Sequence, residues 1–285
     1  VREMVITRLG QGVDRTGVLD PLAIERTLDA ARIYAAQIEE SGVEAARFVT
    51  TSASRDAANR DDFLVPVQAI TGLTPQVLSG TEEAELSFRG ALSALPEGLE
   101  APYLLVDIGG GSTEFVLGTS HAEQAISIDM GSVRVTERFG GEPWTAEKVR
   151  LAREWISEHI EQAAEVIDFD AVRTIVGVAG TVTTIGALIA GVEQYDPAKV
   201  HGLLPTEQDW REALAFMIDR PAADKAALPF MPEGRADVIA GGALIWEQIL
   251  DRFGVLGTDK QPKSDPVAVV ISEHDILDGL ALSLA

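Results

Sequence analysis

Apolar residues recur along this chain with two periods, and the changes between them outline its elements. Val1 to Leu9 mixes Val, Ile and Thr ahead of Gly10-Gln11-Gly12, which predicts a strand leaving into a turn. Asp20 and Pro21 then open a long stretch in which Leu22, Ile24, Leu28, Ala31, Ala35 and Ile38 fall close to helical spacing, and Gly42 stops it. Arg47 to Thr51 reads as a short buried strand, followed by a Ser/Asp-rich turn over Ser52 to Asp56. A helix from about Asp61 to Ile70, a short strand from Gln76 to Leu78 and a helix from Glu82 to Leu95 complete the first half.

The second half opens with the apolar strand Tyr103–Ile108, interrupted only by Asp107 near its end. Glu114 to Gly118 is its hairpin return and Ala125 to Met130 a third strand. Helices over about Val133 to Phe139 and Ala146 to Ile167, the strand Thr174–Val178 and a helix from Val182 to Ala190 follow. An apolar helix from Val238 to Phe253, the strand Val267–Ile271 and a helix from Asp275 end the chain. Both halves share the order strand, helix, strand, helix, strand, helix, with a leading hairpin only in the second, so the class is α/β with a weak internal duplication.

Composition narrows the chemistry. With 285 residues and 46% hydrophobic content, two domains with full cores are expected. The balance of 45 acidic to 23 basic residues, a net charge of -22, opposes the counterion release on which nucleic-acid binding depends. Any polyanion site must therefore be locally positive or assisted by a metal. No cysteine is present, which excludes a disulfide framework, a thiolate nucleophile and a cysteine metal site. The uncharged run Thr174 to Val192 is long enough to span a bilayer, but its glycines and threonines suit a buried strand, a turn and a helix.

Against that background the segment Asp107-Ile-Gly109-Gly110-Gly111-Ser112-Thr-Glu114 carries most information. Three glycines allow positive φ and close approach to a ligand, leaving N–H groups for a phosphate, and the preceding Asp107 stands where a hydrated Mg²⁺ or an attacking water would be held. An ordinary hairpin turn needs neither the third glycine nor the Asp, so phosphate binding is the better reading. In Ser79-Gly-Thr-Glu82-Glu83, a capping box accounts for Glu82, while Glu83 fits a catalytic and a solvated role equally. Glu83 projects with Ser87, Gly90 and Ala94, a strip of small residues that another backbone or a cleft could approach. The turn Gly177 to Thr184 suits anion binding at a helix N-terminus and close helix–sheet packing equally well. Arg55 could aim its fork at a phosphate or form a surface ion pair. The four histidines, at 121, 159, 201 and 274, lack metal-ligand spacing, and Glu273-His274-Asp275 reads as a helix cap.

Together, Thr50-Thr-Ser-Ala-Ser-Arg-Asp-Ala57, Ser79-Gly-Thr-Glu-Glu-Ala84, Asp107 to Glu114, Gly177 to Thr184 and Ser272 to Gly279 resemble the exopolyphosphatase and guanosine pentaphosphate phosphatase (Ppx/GppA) family, in its short two-domain actinobacterial type. The resemblance implies duplicated ribonuclease H-like domains of the actin, heat-shock ATPase and sugar kinase superfamily, facing a cleft. The first is expected over residues 1–86, with 273–285 returning to it, and the second over 87–272. It implies Glu83 as general base, Arg55 as stabiliser of the transferred phosphoryl group, Asp107 and Glu114 as Mg²⁺ ligands, and Gly109, Gly110, Gly111, Ser112, Gly180 and Thr181 as phosphate-binding residues. Closure about a hinge beside Glu83 would assemble the site. Inorganic polyphosphate is the expected substrate, with guanosine pentaphosphate, an alarmone-binding sensor and an ATP-using kinase as rivals. A cytoplasmic homodimer without nucleic-acid or membrane partners is expected. Family members open with a strand, an Asp-x-Gly-Thr-Asn-Ser phosphate loop and a return strand, which this sequence lacks and which omission or disorder would explain better than a natural deletion.

Overall fold

Backbone N–H and C=O groups need partners, so an apolar stretch becomes a strand only where another lies beside it. In the structure, a computed structural model describing residues 3, 5–257 and 266–284, this condition separates two compact units. They comprise Val1–Glu83 with Leu280–Ala285, and Ala84–Gly279.

The first unit contains α1 (Val13–Thr16), α2 (Pro21–Ser41), β1 (Val49–Thr50), α3 (Ser52–Asp56), α4 (Asp61–Thr71), β2 (Gln76–Val77) and the start of α5 (Gly80–Leu92). Asp20 caps α2 by accepting from the N–H groups of Leu22 and Ala23 at 2.9 and 3.1 Å, and Gly42 ends it in the left-handed conformation. Leu19, Ile24, Leu28, Phe63 and Val67 form the small core to which α2 and α4 contribute. β1 and β2 pair in parallel.

Two expectations fail here. Of the strand expected over Val1 to Leu9, residues 1, 2 and 4 lie outside the described residues, and 5–9 form no strand. Among the described residues no strand pairs with that segment, so its β-prone composition has nothing to satisfy it. The turn expected at Ser52 to Asp56 is the helix α3, because the N–H groups of Ser54 and Arg55 both turn back to the Thr51 carbonyl at 3.1 Å.

The second unit contains β3 (Tyr103–Ile108), β4 (Thr113–Gly118), β5 (Ala122–Ile128), α6 (Ser132–Phe139), α7 (Ala146–Ala164), β6 (Thr174–Val178), α8 (Ala179–Ile189), α9 (Pro197–Val200), α10 (Glu207–Asp219), α11 (Ala222–Ala226), α12 (Ile239–Arg252), β7 (Ala268–Ile271) and α13 (Ile276–Leu282), whose end returns to the first unit. The sheet order is β5-β4-β3-β6-β7, with β3, β4 and β5 antiparallel and β3, β6 and β7 parallel. This is the ribonuclease H-like arrangement. Leu104, Val106 and Ile108 face the larger core with α6, α7, α8, α10 and α12, while Leu105, Val116 and Val176 face the smaller core with Phe88 of α5. The run Thr174 to Val192 is a strand and a helix, and no helix among the described residues is long and apolar enough to cross a membrane.

Candidate active site

In the first unit, Glu83 stands in the first turn of α5 and Arg55 at the end of α3. Arg55 Nη1 donates to the Leu78 carbonyl at 2.9 Å and to Glu83 Oε2 at 3.3 Å. The Glu83 side chain is only 15% exposed, against 30% for Arg55, which makes this a half-buried pair rather than a solvated one. Neighbouring Glu82 caps α5 instead: it accepts from Ser79 N–H at 3.0 Å and Ser79 Oγ–H at 2.7 Å, while its own N–H donates to Ser79 Oγ. Those bonds, the backbone one foremost, hold its carboxyl below the usual carboxylate range.

In the second unit, Asp107 and Glu114 are direct cross-strand partners on β3 and β4, both half-buried. Their side chains therefore share one face of the sheet, where two like charges oppose each other unless a cation joins them. Glu114 Oε1 also accepts from Ser112 Oγ–H at 2.6 Å and Ser127 Oγ–H at 2.7 Å. Among the described residues no cluster of three or more His, Cys, Asp or Glu could cage a metal. Two carboxylates leave room for waters and substrate oxygens, which is the coordination Mg²⁺ prefers.

The loop between these strands differs from expectation in one respect: none of Gly109, Gly110 and Gly111 takes a positive φ. Its shape comes from docking on α6. The Gly109 carbonyl accepts from Ser132 N–H at 3.0 Å and the Gly110 carbonyl from Val133 and Arg134 N–H at 2.9 and 3.2 Å. The Gly111 carbonyl accepts from Arg134 Nε–H at 2.8 Å. Gly131, ahead of α6, makes room, since a Cβ there would lie 2.3 Å from Gly110 O. These peptide bonds are trans, so each N–H points opposite its carbonyl. With three successive carbonyls drawn toward α6, the N–H groups of Gly110, Gly111 and Ser112 face the other way, and none finds a protein acceptor among the described residues. Three N–H donors on one side of the loop, beside two carboxylates, have the chemistry to hold phosphate oxygens.

The turn Gly177 to Thr184 adjoins this loop, because β6 pairs with β3 and Asp107 stands opposite Val178. Both turns thus lie at the carboxyl ends of adjacent parallel strands, where α/β folds place their ligands. Ala179, opening α8, takes φ +63°, a left-handed conformation that costs a residue with a Cβ about 1–2 kcal/mol. Thr181 is buried, with its hydroxyl 3.5 Å from the Ile108 carbonyl, leaving its backbone N–H rather than its side chain for a ligand.

Arg235 escaped the sequence reading. Its guanidinium fills the space beside Gly180, where a Cβ would lie 2.2 Å from Nη2, and Nη1 donates to Thr184 Oγ1 at 2.9 Å. Burial pulls it below the usual arginine value, against the pull of Tyr195 and Glu273. Tyr195 O–H donates to Glu273, and burial foremost, then that bond, raises the phenol above its ordinary value. Asp275 behaves as the cap expected of it, accepting from Leu277 N–H at 2.8 Å while Asp278 accepts from Asp275 N–H at 2.8 Å.

Comparison with known proteins bears on the family. The Ppx/GppA phosphatase family profile matches residues 1–256. Exopolyphosphatase 2 of Mycobacterium tuberculosis is 42% identical over 290 residues, spanning 100% of this chain and 88% of that protein. A crystal structure of an exopolyphosphatase-like protein superposes with a TM-score of 0.91 at 39% identity, covering 100% of this chain and 91% of that one. The Aquifex aeolicus PPX-GPPA enzyme gives a TM-score of 0.75 at 30% identity, covering 99% and 90%. With the match running through both glycine turns and the strands that carry them, the chain belongs to the Ppx/GppA phosphatase family.

Proposed function

We propose that this chain is an exopolyphosphatase, hydrolysing the terminal phosphoanhydride bond of inorganic polyphosphate. The observation that carries the reading is the row of N–H groups on Gly110, Gly111 and Ser112, turned away from α6 beside Asp107. Such a row binds phosphate oxygens without reading any base or sugar, which suits a repeating phosphate polymer. It also answers the charge problem, since backbone dipoles give a chain of net charge -22 a locally positive site.

In the reaction, Glu83 takes a proton from water as the water oxygen bonds to the terminal phosphorus. The bridging P–O bond breaks, releasing orthophosphate and leaving a polymer one unit shorter. Arg55, held by the Leu78 carbonyl, orients Glu83 and offsets charge on the transferred group. The N–H groups of Gly180 and Thr181 serve further phosphates. Asp107 and Glu114 would hold Mg²⁺, which when bound neutralises phosphate charge.

Phosphate release from tripolyphosphate with Mg²⁺ tests this, with the Glu83→Gln variant alongside. Loss of a general base should lower kcat about 10²–10⁴-fold while tripolyphosphate still binds. Release from guanosine pentaphosphate alone would move the substrate to that nucleotide. Tight binding of both without release would leave a binding protein in place of a hydrolase.

A further inference from the structure

The three glycine carbonyls are not held alike. Those of Gly109 and Gly110 accept from backbone N–H groups at the start of α6, which the helix fixes wherever it forms. The Gly111 carbonyl lies one residue beyond that reach. Among the described residues its only hydrogen bond comes from a side chain, Arg134 Nε–H at 2.8 Å. The Gly111 nitrogen packs beside Gly131, but the side-chain direction of Gly111 is open, a Cβ there meeting nothing within 4 Å. The peptide joining Gly111 to Ser112 is flanked by the Ser112 carbonyl, which accepts from Gly109 N–H at 3.0 Å, but its own carbonyl, which decides where the last outward N–H points, is held by one guanidinium.

We propose that Arg134 is a positioning residue for phosphate, acting through Gly111: it holds the third carbonyl against α6 so that Ser112 N–H faces the substrate. The proposal rests on the polyphosphate reading above. The guanidinium suits the task because its planar fork spans two acceptors, with Nε on Gly111 and Nη2 3.2 Å from Asp129 Oδ1. Asp129 is 82% exposed and contributes orientation rather than burial, while the Arg134 side chain is only 23% exposed. A lysine carries one compact ammonium and cannot hold both acceptors in the same plane.

Two readouts separate this role from simple packing. In steady-state assays with tripolyphosphate, Arg134→Ala should raise KM about tenfold or more with kcat changed much less, the pattern of lost substrate holding rather than lost chemistry. Arg134→Lys should fall between it and the parent, and millimolar guanidinium should restore KM in Arg134→Ala where equal ionic strength of sodium chloride does not. In ¹H–¹⁵N spectra, orthophosphate should shift the amides of Gly110, Gly111 and Ser112 in the parent, and Ser112 least in Arg134→Ala. Unchanged KM together with parent-like amide shifts in a folded Arg134→Ala would overturn the proposal. If that variant does not fold, Arg134→Lys with unaltered KM and Ser112 shift would do the same. Amide shifts in the parent without turnover would remove the hydrolase reading and leave the role of Arg134 standing. Turnover without any amide shift in the parent would overturn the role of Arg134 and leave the hydrolase reading standing.

Discussion

Arg55 and Glu83 meet at 3.3 Å through Nη1 and Oε2, while the same nitrogen donates to the Leu78 carbonyl at 2.9 Å. One guanidinium thus joins the C-terminal end of α3 to the first turn of α5. Replacing it with Ala should lower kcat by about 10²–10³-fold, the usual cost of removing one donor from developing charge. Stability should fall modestly, by about 1–3 kcal/mol, because Glu83, only 15% exposed, loses a charged donor. Activity and urea midpoints measured together check this, and a large stability loss with modest kcat loss would recast Arg55 as structural.

Gly90 of α5 lies so close to α13 that a Cβ there would sit 1.8 Å from the Asp275 carbonyl and 2.7 Å from Gly279 N. Gly279 reciprocates, its Cβ position being 1.9 Å from Leu86 O. The obstacle is backbone and cannot rotate aside. Gly90→Ala and Gly279→Ala should each cost roughly 1–3 kcal/mol or more by overpacking. The double variant should cost less than their sum, since either one already forces the helices apart. Urea denaturation of the three variants reads this directly.

Gly90 also indicates how far the sequence could be read. Its place in a strip with Glu83, Ser87 and Ala94 suits either another backbone or a cleft, and at Gly90 it is the backbone of Asp275 and Gly279 that approaches. The strands Tyr103–Ile108 and Thr174–Val178 were legible because both are apolar runs buried on two faces. The helix α10 carries an equally clear period in Trp210, Ala213, Leu214, Met217 and Ile218, within a stretch, 191–237, for which the sequence reading gives no element. Its capping box uses Asp209 where the familiar signature has Glu or Gln. Arg235 had no local signal at all, since its place against Gly180 exists only once α8 and the segment before α12 have packed. Residues 5–9 form no strand for the converse reason: β-prone residues make a strand only with a partner.

Lys225 is fully buried, and its Nζ lies 2.7 Å from Glu142 Oε1, while Glu142 Oε2 accepts from Ala222 N–H at 2.7 Å. Glu142→Gln would leave that ammonium without its counter-charge and should destabilise by about 3–5 kcal/mol. Adding Lys225→Met should recover most of the loss. Desolvation alone would raise the Glu142 carboxyl, but the bonds from Lys225 and Ala222 outweigh it and hold the group below its usual value. A lowered folded pKa means that the contribution is complete above the unfolded value near ~4.3 and is lost as pH falls through the folded one. The gap in stability between parent and Glu142→Gln should therefore stay constant from about pH 7 to 5 and close in stronger acid. Urea titrations across that range test it, and a gap that widened in acid would contradict the pairing.

Ala179 joins β6 to α8 at φ +63°, with the Gly180 and Thr181 N–H groups directly after it. An alanine in this conformation carries strain of about 1–2 kcal/mol. Glycine would relieve the strain but would lose more chain entropy on folding, by roughly 0.5–1 kcal/mol. These effects nearly cancel, so Ala179→Gly should leave Tm almost unchanged. Ala179→Val adds a branched Cβ to the same backbone and should lower Tm by several degrees, as a loss of about 1–2 kcal/mol does in a domain of this size. If the strain serves to aim the following N–H groups, the glycine variant should also bind orthophosphate more weakly despite its intact stability, because a flexible residue no longer dictates where those groups point. Calorimetry for Tm and amide shifts of Gly180 and Thr181 on phosphate addition separate the two effects. Equal phosphate affinity in parent and Ala179→Gly would mean that the fold around α8, through Arg235 and Thr184, fixes the turn without help from Ala179.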